Sequence, residues 1–221
     1  MRNNLLLNVL LALGFLGFAS TSALAQSAKA TAKVGNVNVL NQVTLEWTTI
    51  LSNTIKTANQ KDLFIDVSLE TGLYTQTEVK SRGGNKDTSS AEATIKVQVL
   101  VDGVPAYPGE VVFNRRSQTL SATLGGILSN CTDSNGDGDI DLDDCTLASA
   151  EIELILDTMA AHSFNFIMAD LRPGEHAIEV QAMISTSSSS GSGSASSNAT
   201  IGNGSVTVEE VRMIKGEDIQ L

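Results

Sequence analysis

Thr94-Ile95-Lys96-Val97-Gln98-Val99-Leu100-Val101 runs into the turn pair Asp102-Gly103. Ile95, Val97, Val99 and Val101 alternate with Thr94, Lys96, Gln98 and Leu100. An extended chain puts the first set on one face and the second on the other. The same period of two recurs at Leu63, Ile65, Val67 and Leu69, and at Ile178, Val180, Ala182 and Ile184. Further strands are predicted over about 43–51, 110–113, 163–168 and 205–213. Pro105, Pro108 and Arg172-Pro173-Gly174 punctuate the connections. Many short strands with turn signals between them predict an all-β fold. Its expected form is an antiparallel β-sandwich, either a jelly roll or immunoglobulin-like.

Three segments break the pattern. Leu147, Ile152, Ile155, Leu156 and Met159 fall near helical spacing, which predicts a short helix over 147–159. A strand over 152–156 is the alternative that period alone does not separate. The stretch 81–90, rich in Ser, Gly and charge, is read as a link between two strands. The stretch 185–197 is nearly all Ser, Gly and Ala and is read as a mobile hairpin loop.

Residues 1–25 read as a signal peptide. Arg2 supplies the positive start, an apolar run follows from Leu5 to Ala19, and Ala23-Leu24-Ala25 is a small-residue cleavage site. The apolar run, about 15 residues, is short for a permanent span. Residues 26–221 are then one exported domain, extracellular or periplasmic, with no membrane insertion after cleavage. The formal charge of −11 argues against nucleic acid as a partner and favours divalent cations. Two cysteines, Cys131 and Cys145, stand in a part of the chain where export permits oxidation.

The most specific motif is Asp133-Ser134-Asn135-Gly136-Asp137-Gly138-Asp139-Ile140-Asp141-Leu142-Asp143-Asp144. It resembles the calcium loop of EF-hand and dockerin proteins, position by position. The resemblance implies side-chain oxygens from Asp133, Asn135 and Asp137, a sharp turn at Gly138 and the main-chain carbonyl of Asp139. It also implies a water-mediated contact from Asp141 and closure by Asp144. Calcium, a hard cation, takes six to eight oxygens, and alternate residues of a tight loop can supply them. Ile140 matches the apolar residue that packs beneath such loops. Both ends of the loop would grip one ion, which brings Cys131 and Cys145 within disulfide reach. A disulfide closing a loop of this size is worth about 3 kcal/mol in the chain-entropy model. Asp rather than Glu closes the loop, no helix precedes it, and one copy is present. Cohesin docking and calcium sensing are therefore not implied, and an extracellular-type affinity of about 0.1–1 mM is expected.

The remaining chemistry is sparse. His162 and His176 are expected to be structural. Arg172-Pro173-Gly174-Glu175-His176-Ala177-Ile178-Glu179-Val180 resembles the turn-and-strand wording of bacterial secreted β-sandwich domains. A hydrolase triad from Asp157, His162 and a serine lacks a Gly-x-Ser-x-Gly elbow. The pairs Glu151/Glu153 and Glu209/Glu210 are expected to be solvated surface. Trp47 is expected in the core, and with Tyr74 and Tyr107 it is a thin supply for stacking sugars. Asn130-Cys131-Thr132, Asn198-Ala199-Thr200 and Asn203-Gly204-Ser205 match the glycosylation acceptor pattern.

The resulting expectation is a secreted, non-enzymatic, calcium-binding sandwich with a structural or adhesive role at a cell surface or matrix. Its partners are calcium and an extracellular glycan or protein. A calcium-dependent carbohydrate-binding module is the alternative, and an extracellular hydrolase comes third.

Overall fold

A computed structural model describes residues 29–40 and 46–213, with the side chains of 36–40 excepted. The expected signal peptide, and the first part of the strand expected over 43–51, lie outside the described residues. Eleven strands follow one another: β1 (Ala30–Leu40), β2 (Thr48–Thr57), β3 (Lys61–Ser81), β4 (Lys86–Val101), β5 (Val104–Pro105), β6 (Val111–Thr123), β7 (Ile127–Ser129), β8 (Thr146–Ala148), β9 (Ala150–Leu171), β10 (Gly174–Ser190) and β11 (Ala195–Val211).

Nine of them build two sheets packed face to face. One sheet has the order β1-β11-β3-β9. The other runs β2-β10-β4, with β6 on the far side of β4 and the short β5 turning back beside it. The antiparallel pairs are nested: β4 with β6, β3 with β9, β2 with β10, β1 with β11. A hairpin ribbon wound so that successive pairs fall in alternate sheets is a jelly roll. This strand order decides between the two sandwich types the sequence left open.

The alternation seen in sequence makes the core. Leu63, Ile65 and Val67 of β3, Ile95, Val97 and Val99 of β4, and Ile178 and Val180 of β10 are fully buried between the sheets. Phe166 and Val206 join them from β9 and β11. Beyond Leu69 the interior changes character. Thr71, Thr75, Thr77, Ser89 and Gln118 are buried there; Thr71 and Ser89 donate to the Ala160 and Glu78 carbonyls, and the other three satisfy one another. Thr75 Oγ1 donates to Gln118 Oε1 at 2.8 Å, while Gln118 Nε2 donates to Thr77 Oγ1 at 2.6 Å and to the Leu154 carbonyl at 2.9 Å. Buried polar groups matched in this way cost little.

Four expectations are corrected. The segment 147–159 is not helical: Leu147 lies in β8, and from Ala150 the chain is a 22-residue strand paired with β3 along Lys61–Ser81. That pairing outweighs a short stretch of helical spacing. The segment 185–197 is not a loop, because β10 continues to Ser190 and β11 begins at Ala195, leaving a turn at 191–194. Trp47 precedes β2 at a sheet edge and is only half-buried, outside the core. The link expected over 81–90 shrinks to the turn 82–85, with positive φ at Gly83 and Gly84.

Candidate metal site

The acidic loop rides on a two-stranded ribbon. β7 and β8 pair only with each other, Ile127 opposite Ala148 and Ser129 opposite Thr146. The ribbon leaves the sandwich between β6 and β9, beside the turn 82–85, whose Gly83 and Gly84 amides donate to the carbonyls of Gly125 and Leu124. Cys131 and Cys145 are disulfide-bonded at its tip, with Cα atoms 4.0 Å apart.

Within the loop every acidic or amide side chain that the motif singles out, Asp139 excepted, accepts a main-chain N–H. Asp133 receives Gly136 on Oδ1 (2.6 Å) and Gly138 on Oδ2 (2.9 Å). Asn135 Oδ1 receives Asp137 N, and Asp137 Oδ1 receives Asp139 N, both at 2.9 Å. Gly136 and Gly138 have φ of 77° and 91°, a conformation that other residues adopt at a cost. Asp141 caps a single 3₁₀ turn, Leu142–Asp144, by accepting Asp143 N at 3.0 Å.

Asp144 is the one buried carboxylate of the loop, 6% exposed. Its Oδ1 receives the Ser134 amide (2.9 Å) and hydroxyl (2.7 Å), and its Oδ2 receives the Asp141 amide (3.2 Å). The Ser134 hydroxyl first, then the Ser134 and Asp141 amides, hold its pKa below the ordinary carboxylate value. Each carboxylate oxygen offers two lone pairs, and with two hydrogen bonds on Oδ1 against one on Oδ2, Oδ2 is the less engaged oxygen of Asp144 toward a metal.

The donor set fits a hard cation in chemistry: all oxygens, anionic at Asp133, Asp137 and Asp144, neutral at Asn135 and the Asp139 carbonyl. Among the described residues no three Asp, Glu, His or Cys side chains gather as a metal-holding group. The three carboxylates of the donor set, Asp133, Asp137 and Asp144, are therefore not gathered around one point in this structure, and would have to draw together to share an ion. Ile140, expected beneath the loop, is instead 62% exposed, because among the described residues no second layer lies behind the ribbon.

The histidines separate. His162 is exposed and meets Phe113 edge-on, with ring centroids 6.2 Å apart. His176 is buried, with Nδ1 2.7 Å from Asp102 Oδ2 and Nε2 2.8 Å from the Arg172 carbonyl and 3.2 Å from Thr57 Oγ1. Asp102, His176 and Thr57 thus stand in line, an arrangement not legible in the sequence because its members come from three distant strand ends. Thr57 and His176 are 2% and 6% exposed, and the Thr57 hydroxyl donates to the Arg172 carbonyl at 3.0 Å. The geometry is that of a tie between turns. Burial raises the Asp102 pKa, but hydrogen bonds from His176 and the Ala177 amide outweigh it and leave the value lowered. Glu151 pairs with Lys80 Nζ at 3.3 Å, as does Glu78 at 2.8 Å. Glu209 and Glu210, adjacent on β11, point to opposite faces.

No family model matches the chain, and no curated protein sequence matches it. Among solved structures, a chain of the T13 IBDV viral particle aligns with 84% of this chain and 40% of its own, at 7% identity and a TM-score of 0.16. The chain spans about two fifths of that protein's length, and a likeness so low carries no argument. Among the described residues no helix is long and apolar enough to cross a membrane.

Proposed function

We propose that this protein is an exported jelly roll that binds one calcium ion in the loop 133–144 and acts by interaction rather than by chemistry, at a cell surface or in a matrix. The observation that carries the reading is the loop itself. Its side chains are tied to main-chain amides of the loop, and its ends are joined by Cys131–Cys145. Asp133, Asn135 and Asp137, the Asp139 carbonyl and Asp144 Oδ2 would hold the ion, with Asp141 reaching it through water. Joining the loop's ends lowers the ordering cost of binding. The disulfide is also the part of the reading that agrees with an oxidising compartment.

Calorimetric titration of the oxidised protein tests it. The expected result is one site with a Kd of about 0.1–1 mM, lost in Asp133→Ala and Asp137→Ala. A flat titration in the oxidised protein would falsify the calcium assignment. The ribbon 124–149 contains no aromatic residue, so a sugar held directly at the calcium ion lacks a stacking partner there.

A further inference from the structure

The outer face of the sheet β1-β11-β3-β9 carries a groove that the loop does not share. Antiparallel register sets Tyr74 of β3 opposite Asn198 of β11 on one side and Asp157 of β9 on the other. The three make one row, at about 4.8 Å per strand. The next row is Met159, Gly72 and Thr200. Together these residues line a groove of about 660 Å³. Gly72, lacking a side chain, leaves room for the Thr200 hydroxyl on the floor: a Cβ there would stand 2.4 Å from Thr200 Oγ1.

The lining is two-sided in chemistry. Half-buried Tyr74 and Met159, which is 66% exposed, supply apolar surface. Asp157, Asn198 and Thr200 supply a carboxylate, an amide and a hydroxyl. Among the described residues the Asp157 carboxylate and the Asn198 Nδ2 have no hydrogen-bond partner, while Asn198 Oδ1 accepts the Ala199 amide at 2.8 Å. Tyr74 is pre-oriented: its hydroxyl donates to Gln76 Oε1 at 3.1 Å, an oxygen that also accepts Ser196 Oγ at 3.1 Å, while Gln76 Nε2 donates to Glu153.

A sugar ring has the matching two-sided character, an apolar C–H face and a rim of hydroxyls, and it suits a fixed aromatic flanked by polar groups. An extended peptide would gain less, because β3 is paired on both sides and the free main-chain edge of β9 faces away from β3 and the groove. The charge of −11, with Asp157 in the groove, repels uronic-acid or sulfated chains. We propose that this groove binds a neutral oligosaccharide, one sugar against Tyr74 with its hydroxyls met by Asp157 and Asn198. The proposal does not use calcium, so the failure of either reading leaves the other standing.

The test is a set of NMR titrations of ¹⁵N-labelled protein, made in a host that leaves Asn198 unglycosylated and kept in chelator throughout. The probes are cellotetraose, mannotetraose and xylotetraose, with tetragalacturonate as the anionic comparison. Amide shifts around 72–76, 157–159 and 196–200 are expected to saturate with at least one neutral probe. Tyr74→Ala and Asp157→Ala should each weaken binding about tenfold or more, while Ile140→Ala on the ribbon leaves it unchanged. Asp157 lies exposed on an edge strand, so its variant reports binding without depending on refolding. Silence with all three neutral probes, a preference for tetragalacturonate, or shifts indifferent to Asp157→Ala would overturn the proposal.

Discussion

Asp87 shows how one side chain can organise an end of a sandwich. It is 7% exposed and accepts the amides of Lys80 (2.8 Å), Ser192 (2.9 Å) and Gly193 (3.1 Å). It thereby joins β3, β4 and the β10–β11 turn. The Ser192 and Lys80 amides, in that order, lower its pKa against the opposing effect of burial. A carboxyl whose folded value is lowered stabilises fully above its unfolded value, about 3.9, and loses that contribution as pH falls through the folded value. Protection of the Ser192 and Gly193 amides from hydrogen exchange is therefore expected to be level from about pH 7 to 5 and to drop below about pH 4. Asp87→Asn should remove that drop and lower protection at neutral pH; unchanged exchange in the variant would mean the turn does not lean on this carboxylate. The glycines of the same turn are there for room. A Cβ on Gly193 would lie 1.9 Å from the Glu78 carbonyl oxygen, so Gly193→Ala should cost about 1–3 kcal/mol in urea denaturation.

At the scale of elements, strands with one wholly apolar face were legible and those with mixed faces were not. β4 announces itself because Ile95 to Val101 alternate in a run ending at Asp102-Gly103, where φ is 51° and 81°. β10 announces only its first half. Beyond Ile184 its residues are Ser and Thr, and they hold strand form through register with β4, Ser188 opposite Ala91 and Ser190 opposite Ser89. Partners a hundred residues away are invisible to a local reading of a Ser/Gly stretch. β9 misled for a related reason: it lies at a sheet edge, so Ile152, Leu154, Ile155 and Leu156 remain 40–49% exposed and obey neither period cleanly. The loop was the opposite case, since its turns are made by its own side chains. Gln118 tests the polar half of the core. Gln118→Leu leaves Thr75, Thr77 and the Leu154 carbonyl without their partner, and a loss of about 2–4 kcal/mol is expected. An equally stable variant would mean that water replaces the side chain there.

For the whole molecule, the position of the ribbon separates two kinds of stability. The sandwich core contains no residue of 124–149, so the disulfide acts on a part that stands outside it. Removing it as Cys131→Ser with Cys145→Ser is expected to shift the thermal midpoint by less than about 3 °C. A released entropy of about 3 kcal/mol acting on global unfolding would shift it several degrees more. Exchange at Ser134 and Gly136 should nevertheless rise sharply. A large fall in the midpoint would show the ribbon to be part of the cooperative unit.

The nesting of the strand pairs has a further consequence, in time rather than in space. Once β4 and β6 have closed over the short Asp102–Glu110 connection, the ends of β3 and β9 are already near each other. Each later pair then meets a loop shortened by the one before. Loop closure is cheapest in that order, so the chain should zip outward, from β4–β6 through β3–β9 and β2–β10 to β1–β11. Refolding should be slow, as for other folds built from distant pairings. In pulse-labelling during refolding, amides of Thr94 and Arg115 should be protected before those of Lys33 and Val206.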